Sequence, residues 1–267
     1  GNALLPISSS TQMITFTSNN HMQSSRLIRL LISVIASVVL MAILVMVTPE
    51  ENPNRILVML GGTMPEGLIQ GATYFLFIFA LLEVMSIKSK LTVEQDAFTA
   101  HLLPEKENYV LSADDANQLK LNMQHLEHQR NYYLVDLIKK TCTKYRLSKS
   151  SSEVLSLTDA QIKLYNAEVE SEQAYINYAI WAIPSVGFIG TVLGIAASLG
   201  FANQASTPEG IEKVTSMLAV AFDTTLVALV LSVILMYLVH SMHKQQDDLF
   251  TKMNSYIIEN LINRFYK

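Results

Sequence analysis

Pro184-Ser185-Val186-Gly187-Phe188-Ile189-Gly190-Thr191-Val192-Leu193-Gly194-Ile195 lies inside an apolar run from Tyr178 to Phe201, and its reading decides the fold. A run of about 20 apolar residues crosses a hydrocarbon core about 30 Å thick. Within this one, Pro184, Gly187, Thr191, Gly194 and Ser198 follow one another at steps of 3, 4, 3 and 4, which in a helix places them on one face. A membrane helix with Gly, Ser and Thr along one face packs closely against a neighbour and keeps its hydroxyls out of lipid. The next apolar run, Val214 to Val239, repeats the device with Ala221, Thr225, Ala228 and Ser232 at steps of 4, 3 and 4. The runs cross in opposite directions, and Thr191 and Thr225 fall at about the same depth.

Two earlier runs, Leu27 to Val47 and Leu68 to Ile87, bring the count to four. The expected fold class is all-α: a polytopic membrane protein with four transmembrane helices and long helices extending into the cytoplasm. Half of the 267 residues are hydrophobic, and a mean hydropathy of +0.29 is high for a soluble chain but low for one made only of spans. The architecture is therefore part bilayer and part water. A net charge of only −4 gives no reason to expect a nucleic-acid partner. The basic residues instead set topology: Arg26 and Arg29 precede the first run, Lys88 and Lys90 follow the second, and Lys244 follows the fourth. Glu50 and Glu51 separate the first two runs, and Glu209 and Glu212 the last two. Both termini and the long middle segment are accordingly expected in the cytoplasm, with the chain multi-pass in the membrane.

The organisation along the chain follows from these runs. Residues 1–25 read as a disordered leader, with no basic stretch ahead of an apolar core to make a cleavable signal. Residues 26–87 form a transmembrane hairpin, joined by a turn containing Pro49, Asn52, Pro53 and Asn54 and broken again at Gly61, Gly62 and Pro65. Residues 88–175 are too long for a structureless loop and are expected to fold as a cytoplasmic helical domain. Ser112 with Asp115 offers a cap for a helix through about Arg146, a serine stretch from Ser148 to Ser152 breaks it, and Thr158 with Gln161 offers a cap for a helix from about Asp159. No Gly or Pro then appears before Pro184, so that helix is expected to run unbroken into the membrane. Residues 176–240 hold the second pair of spans, whose small-residue faces line an interface or an ion path. Residues 241–267 form an amphipathic cytoplasmic helix, its Leu249, Met253, Ile257, Leu261 and Phe265 at steps of four making a packing stripe.

An unpartnered hydroxyl in hydrocarbon costs several kcal/mol, so Thr191 and Thr225 each need a partner: their own carbonyls four residues back, water, or an ion. Close packing alone also accounts for such stripes, and Gly190 with Gly194 is a GxxxG packing motif. Asp223 adds chemistry, because a carboxylate inside a span marks a functional site by default. It stands two residues, about 200°, from Thr225 and is expected to face a neighbouring helix or subunit, either on the ion path or in a structural hydrogen bond. Glu83 reads as an anchor kept wet near Lys88, Tyr178 and Trp181 as an interfacial aromatic pair, and Pro184 as a kink site. Cys142 stands alone, so no internal disulfide forms, and no metal-ligand spacing, phosphate-binding glycine loop or nucleophile with a base emerges. The chain is not expected to be an enzyme or to need a cofactor.

At this point the sequence resembles the flagellar stator, TolQ and ExbB family of ion-channel subunits. Pro184 to Ile195 is similar to that family's Pro-x-x-Gly-aliphatic-x-Gly-Thr-Val-x-Gly signature, and Ala219 to Ser232 to the channel helix that follows, with Thr225 at the position of its threonine. The resemblance implies a homopentamer surrounding the single spans of a dimeric MotB, TolR or ExbD-like partner. It implies that the partner's aspartate carries a proton past rings formed by Thr191 and Thr225, and that ion flow does mechanical work. Two spans ahead of the loop match the flagellar stator topology, whereas Gly-Thr-Val-x-Gly is nearer the three-span type, and Val220 stands where an ExbB-like helix has a glutamate. A hydroxyl-lined path passes protons or sodium. The competing reading is a non-conducting membrane scaffold whose small-residue faces only pack helices and whose cytoplasmic helices recruit partners.

Overall fold

In hydrocarbon a backbone N–H or C=O has no water to bond, so each apolar run closes its own hydrogen bonds as a helix. The computed structural model of the protein describes residues 9–49, 53–65, 67–104, 110–127 and 132–265. Their elements in order are α1 (Ser9–Val47), α2 (Arg55–Met59), α3 (Leu68–Asp96), α4 (Ala113–Glu127), α5 (Tyr133–Ser148), α6 (Ser151–Glu172), α7 (Ala174–Gly200) and α8 (Pro208–Asn260), with short 3-10 turns between some of them. Four helical stretches, in Ser24–Val47, Leu68–Ala100, Ser151–Gly200 and Pro208–Arg264, are long and apolar enough to cross a membrane. The chain is a multi-pass, all-helical membrane protein. Of the segment expected as a disordered leader over 1–25, residues 1–8 lie outside the described residues, and from Ser9 onward the chain is instead helical.

Contacts divide the chain into two units. The first comprises Gly1–Glu83 with Ile176–Met236. In it α1 turns Arg29, Ser33, Ser37 and Met41, at steps of four, towards α3. Ser33 and Ser37 are buried, their hydroxyls donating to the Leu30 and Val34 carbonyls at 2.7 and 2.9 Å, so no donor is left open to lipid. Gly71 of α3 meets the Met41 side chain. At one end of the α1–α3 contact, Glu83 is only 1% exposed. Arg29 donates to its two carboxylate oxygens from Nε at 2.7 Å and Nη2 at 3.3 Å, and the Arg26 Nε lies 3.9 Å away. The expectation of a wet anchor beside Lys88 is thus overturned: Glu83 is dry and paired, because two arginines one turn apart on α1 reach it, while the Lys88 ammonium donates to Ser241 at 3.1 Å.

The second unit comprises Val84–Tyr175 with Tyr237–Lys267. Here α4 packs on α5 and α5 on α6, and the apolar face of α5, Leu134, Leu137, Ile138, Cys142 and Tyr145, is buried. The tail stripe Leu249, Met253, Ile257, Leu261 and Phe265 is buried with it. Tyr145 stacks on Phe265 with centroids 3.7 Å apart, and the Leu111 N–H donates to the Arg264 carbonyl at 2.7 Å, tying residue 111 to the end of the described chain. The expected single helix from Ser112 to about Arg146 is two, α4 and α5. The capping pair itself stands: the Asp115 carboxylate accepts from the Ser112 backbone N–H, and the Ser112 hydroxyl caps the Asp115 N–H.

Two boundary expectations are corrected. Thr158 is no cap. Helix α6 already starts at Ser151, behind Ser150, whose hydroxyl accepts from the Glu153 N–H, and Lys149 takes the left-handed conformation, φ 48°, that ends α5. Thr158 instead lies buried, donating to the Val154 carbonyl at 3.0 Å. The helix expected to run unbroken from about Asp159 is interrupted at Gln173, between α6 and α7. There the backbone N–H turns back to the Glu170 carbonyl, and the buried side chain is held on α8, donating to Gln246 and meeting His243 at 2.9 Å.

Burial also sets the chemistry of two groups on α5. Desolvation pushes Asp136 up, but hydrogen bonds from Lys140, Tyr165 and Lys139 outweigh it and hold the carboxyl below its ordinary range. Burial pushes the Cys142 thiol up to about 12, with nearby Lys120 opposing weakly. At pH 7 to 8 the native thiol is therefore protonated, and only the thiolate is nucleophilic. Maleimide labelling of the native protein is expected to be slow and to speed up sharply in denaturant; rapid native labelling would contradict the packing of α5. For the α1–α3 pair, Arg29→Ala leaves a dry carboxylate and is expected to cost about 3–5 kcal/mol. Combining it with Glu83→Leu should return most of that loss, as read by thermal unfolding in detergent.

Candidate functional site

The site is the seam between α7 and α8 within the first unit. The glycines set how close the two helices come. A Cβ on Gly187 would stand 2.5 Å from the Ala228 Cβ, and one on Gly194 would stand 2.6 Å from the Ala221 Cβ, separations that real Cβ atoms do not adopt. On Gly190 it would meet the Thr224 hydroxyl at 2.5 Å and Ile69 of α3 at 2.9 Å. Ala221 and Ala228 are fully buried. Glycine facing alanine thus brings the two backbones together, which is what helix association in lipid requires. Pro184 is contained within α7. Having no N–H, it cannot bond back to the carbonyl four residues earlier, and one residue on the Ser185 hydroxyl donates to the Trp181 carbonyl at 2.8 Å.

That proximity brings Thr191 and Thr225 together. Each hydroxyl reaches across the seam to the carbonyl that the other helix would offer its own threonine: Thr191 Oγ1 donates to Ala221 O at 3.0 Å, and Thr225 Oγ1 to Gly187 O at 3.0 Å. The two oxygens also touch one another. Thr191's own carbonyl four residues back, Gly187 O, is a longer 3.4 Å away. The bonds expected within each helix are therefore exchanged between helices, because Gly187 lets both carbonyls into reach. The neighbouring hydroxyls behave differently. Thr224, Ser198 and Ser232 are buried and donate to the carbonyls of Ala221, Val214 and Ala228 at 2.9, 3.1 and 2.8 Å. Thr191 and Thr225 are only half-buried, so they sit at the open edge of the seam.

Asp223 points away from this pair, as its register predicts, and its partner is Arg55 of α2. The guanidinium grips both carboxylate oxygens, Nη1 to Oδ2 at 2.5 Å and Nη2 to Oδ1 at 2.7 Å. The two ends differ sharply in exposure: the Asp223 side chain is 5% accessible and that of Arg55 61%. Its hydrogen bonds to Asp223 raise the pKa of Arg55 further. Arg55 was legible only as the one basic residue between the first two apolar runs, and nothing in its spacing assigns it to residue 223. Helix α2 is placed by local devices: Asn54 caps it, accepting from Ile56 N, and Tyr74 and Gln70 of α3 donate to the carbonyls of Leu60 and Met59.

Around the seam, large apolar side chains remain exposed on both helices, among them Trp181, Phe188, Val192 and Leu199 on α7 and Phe222, Leu226 and Val233 on α8. Tyr178 and Trp181 lie together on the surface, 6.4 Å between ring centroids. Among the described residues no group of His, Cys, Asp and Glu is arranged to hold a metal ion. Residues 129–255, which contain α7 and α8 as far as residue 255, match the MotA/TolQ/ExbB proton channel family. No curated protein and no solved structure matches the chain.

The seam's geometry makes its own demand. Gly187→Ala is expected to cost about 1–3 kcal/mol, as overpacking does, and to part the two threonine hydroxyls. Adding Ala228→Gly should recover part of that stability, measured as thermal unfolding in detergent. An unchanged midpoint for Gly187→Ala would mean that α7 and α8 are not packed this closely.

Proposed function

We propose, for a chain whose residues 129–255 match the MotA/TolQ/ExbB proton channel family, that the protein is the ion-conducting subunit of an energy-transducing motor. The family implies channel-type function in such complexes. In this reading five copies surround a dimer of single-span MotB, TolR or ExbD-like proteins in a bacterial inner membrane, and the proton motive force drives rotation or other mechanical work. The translocated ion is a proton, sodium being the alternative a hydroxyl-lined path also admits; no cofactor and no covalent step are involved. Both termini and the α4–α6 segment lie on the cytoplasmic side, following the arginines and lysines that flank the spans, and the long helices α3 and α8 continue out of the bilayer on that side.

The observation that carries this reading is the paired threonine hydroxyls at the open edge of a seam that otherwise buries its hydroxyls. Ser198, Ser232 and Thr224 do only what packing needs, each donating to a carbonyl while sealed from the surface. Thr191 and Thr225 present oxygens that a group outside the seam can reach. An acid on a neighbouring span could exchange a proton there through hydroxyls already aligned in hydrogen bonds. Asp223 belongs to the same stretch of α8 and supplies the ionisable group on the flank of that path. The exposed apolar faces of α7 and α8 suit contact with further copies, the partner's spans and lipid.

The scaffold reading draws on the same glycine contacts, which pack helices whether or not an ion moves, so the test must separate the hydroxyl from the packing. Thr225→Val removes the hydroxyl at nearly constant volume. With the single-span protein co-expressed and both reconstituted in liposomes, Thr225→Val is expected to bring proton flux to background while native mass spectrometry still finds five copies with two. Thr225→Ser should retain flux. Normal flux in an intact Thr225→Val assembly would remove the hydroxyl from the mechanism and leave the scaffold.

A further inference from the structure

The Arg55–Asp223 pair differs from the other ion pair carried by an apolar helix of the first unit, and the difference points to a use. Glu83 is met by Arg29, whose side chain is only 19% exposed, with Arg26 beside it; both ends of that pair are shielded, as a structural tie requires. Asp223 is equally buried but is met by an arginine whose side chain is 61% exposed, borne on a helix of five residues. A bidentate guanidinium occupies both carboxylate oxygens. An exposed, rotamer-rich arginine is also the half of such a pair whose own hydrogen bonds water can replace, so the cost of its leaving falls on the buried carboxylate.

The surroundings of Asp223 make this arginine decisive. Between Ala174 and Gly200, α7 carries no ionisable residue except Tyr175 and Tyr178. On α8, Asp223 is the only charged residue between Lys213 and His240. The polar side chains of α3 nearest the connector are engaged elsewhere: Gln70 with the Met59 carbonyl, Thr73 with that of Ile69 and Tyr74 with that of Leu60. Among the described residues, therefore, the recorded counter-charge of this buried carboxylate is Arg55. The next residue, Thr224, is committed to the Ala221 carbonyl, and Thr225 two residues on opens to the seam edge.

We propose that Asp223 is a cation-binding carboxylate on the flank of the threonine pair, and that Arg55 is the tethered cation that gates it. Seated, Arg55 takes both oxygens and excludes any other cation; displaced, it leaves a buried carboxylate that takes up a proton or a sodium ion, since an isolated charge there is costly. Arg55 is in this sense a positioning residue, acting through Asp223. The assignment of Asp223 to an ion path rests on the conducting function proposed above, whereas the binding of a cation at Asp223 does not.

Carbodiimide labelling reads this directly. Dicyclohexylcarbodiimide modifies protonated carboxyl groups in apolar surroundings, and peptide mass spectrometry locates the adduct. The chain in lipid nanodiscs is expected to stay unmodified at Asp223, whereas Arg55→Gln becomes modified there, and Asp223→Asn in that background loses the adduct. Sodium chloride that suppresses the Arg55→Gln labelling, where the same concentration of choline chloride does not, assigns the site to sodium; equal labelling in both assigns it to the proton alone. Arg55→Lys, which keeps the charge but not the fork, should label to an intermediate extent, and it carries the same comparison should Arg55→Gln not fold. Asp223 as unreactive in folded Arg55→Gln and Arg55→Lys as in the parent chain would overturn the proposal, and so would full labelling of the parent chain. None of these readouts requires conduction, so failure of the Thr225→Val flux test would leave them standing, and their failure would leave the threonine path standing.

Discussion

A polar group carried into an apolar span has to be met by the protein itself. Water costs nothing to summon at a surface, but in hydrocarbon a missing partner costs several kcal/mol. The first unit is organised around that constraint. Serines on α1 turn their hydroxyls onto carbonyls of the preceding turn, Glu83 draws Arg29 into the α1–α3 contact, and Asp223 draws in Arg55 from the connector between those helices. Each apolar helix that carries a charge is thereby joined to another element. The two pairs are chemically alike and differ in what encloses them: an arginine buried beside a second arginine in one, an arginine open to its surroundings in the other.

The same constraint explains the threonine pair. In an isolated helix each hydroxyl would turn back onto its own backbone and contribute nothing between helices. Glycine on α7 against alanine on α8 brings the backbones close enough for the two hydroxyls to exchange carbonyls, so the bonds that satisfy them also lock the register of one helix against the other. Packing and polar satisfaction are then one event. It leaves the pair at the edge of the seam, where Thr224, Ser198 and Ser232 are not.

The second unit is packed around an apolar helical core. Its core is a continuous stripe from α5 and α6 and from the end of α8, closed by the stacking of Tyr145 on Phe265. Its polar groups are paired at the margin: Asp136 with Tyr165 and two lysines, Lys90 with Glu172. The break at Gln173 arises here too, where a buried amide side chain finds its partners on α8 rather than along its own helix.

The helical class and the four spans were legible in the sequence, because a run of about 20 apolar residues has few other solutions and because the 3-and-4 spacing of small residues fixes a face whatever the neighbours are. The tail stripe, the family resemblance and the common depth of Thr191 and Thr225 could be read for the same reason: each depends on periodicity along one helix or on depth in the bilayer. The exchange of carbonyls across the seam, the dry pairing of Glu83, the break at Gln173 and the choice of Arg55 for Asp223 could not be read. Each joins residues dozens to more than a hundred positions apart, and a side chain's local spacing says nothing about which distant group will enclose it. Sequence alone determined which faces must be covered. The tertiary structure decided what covers them, since a buried charge or hydroxyl accepts whichever partner the packing of backbones brings within about 3 Å.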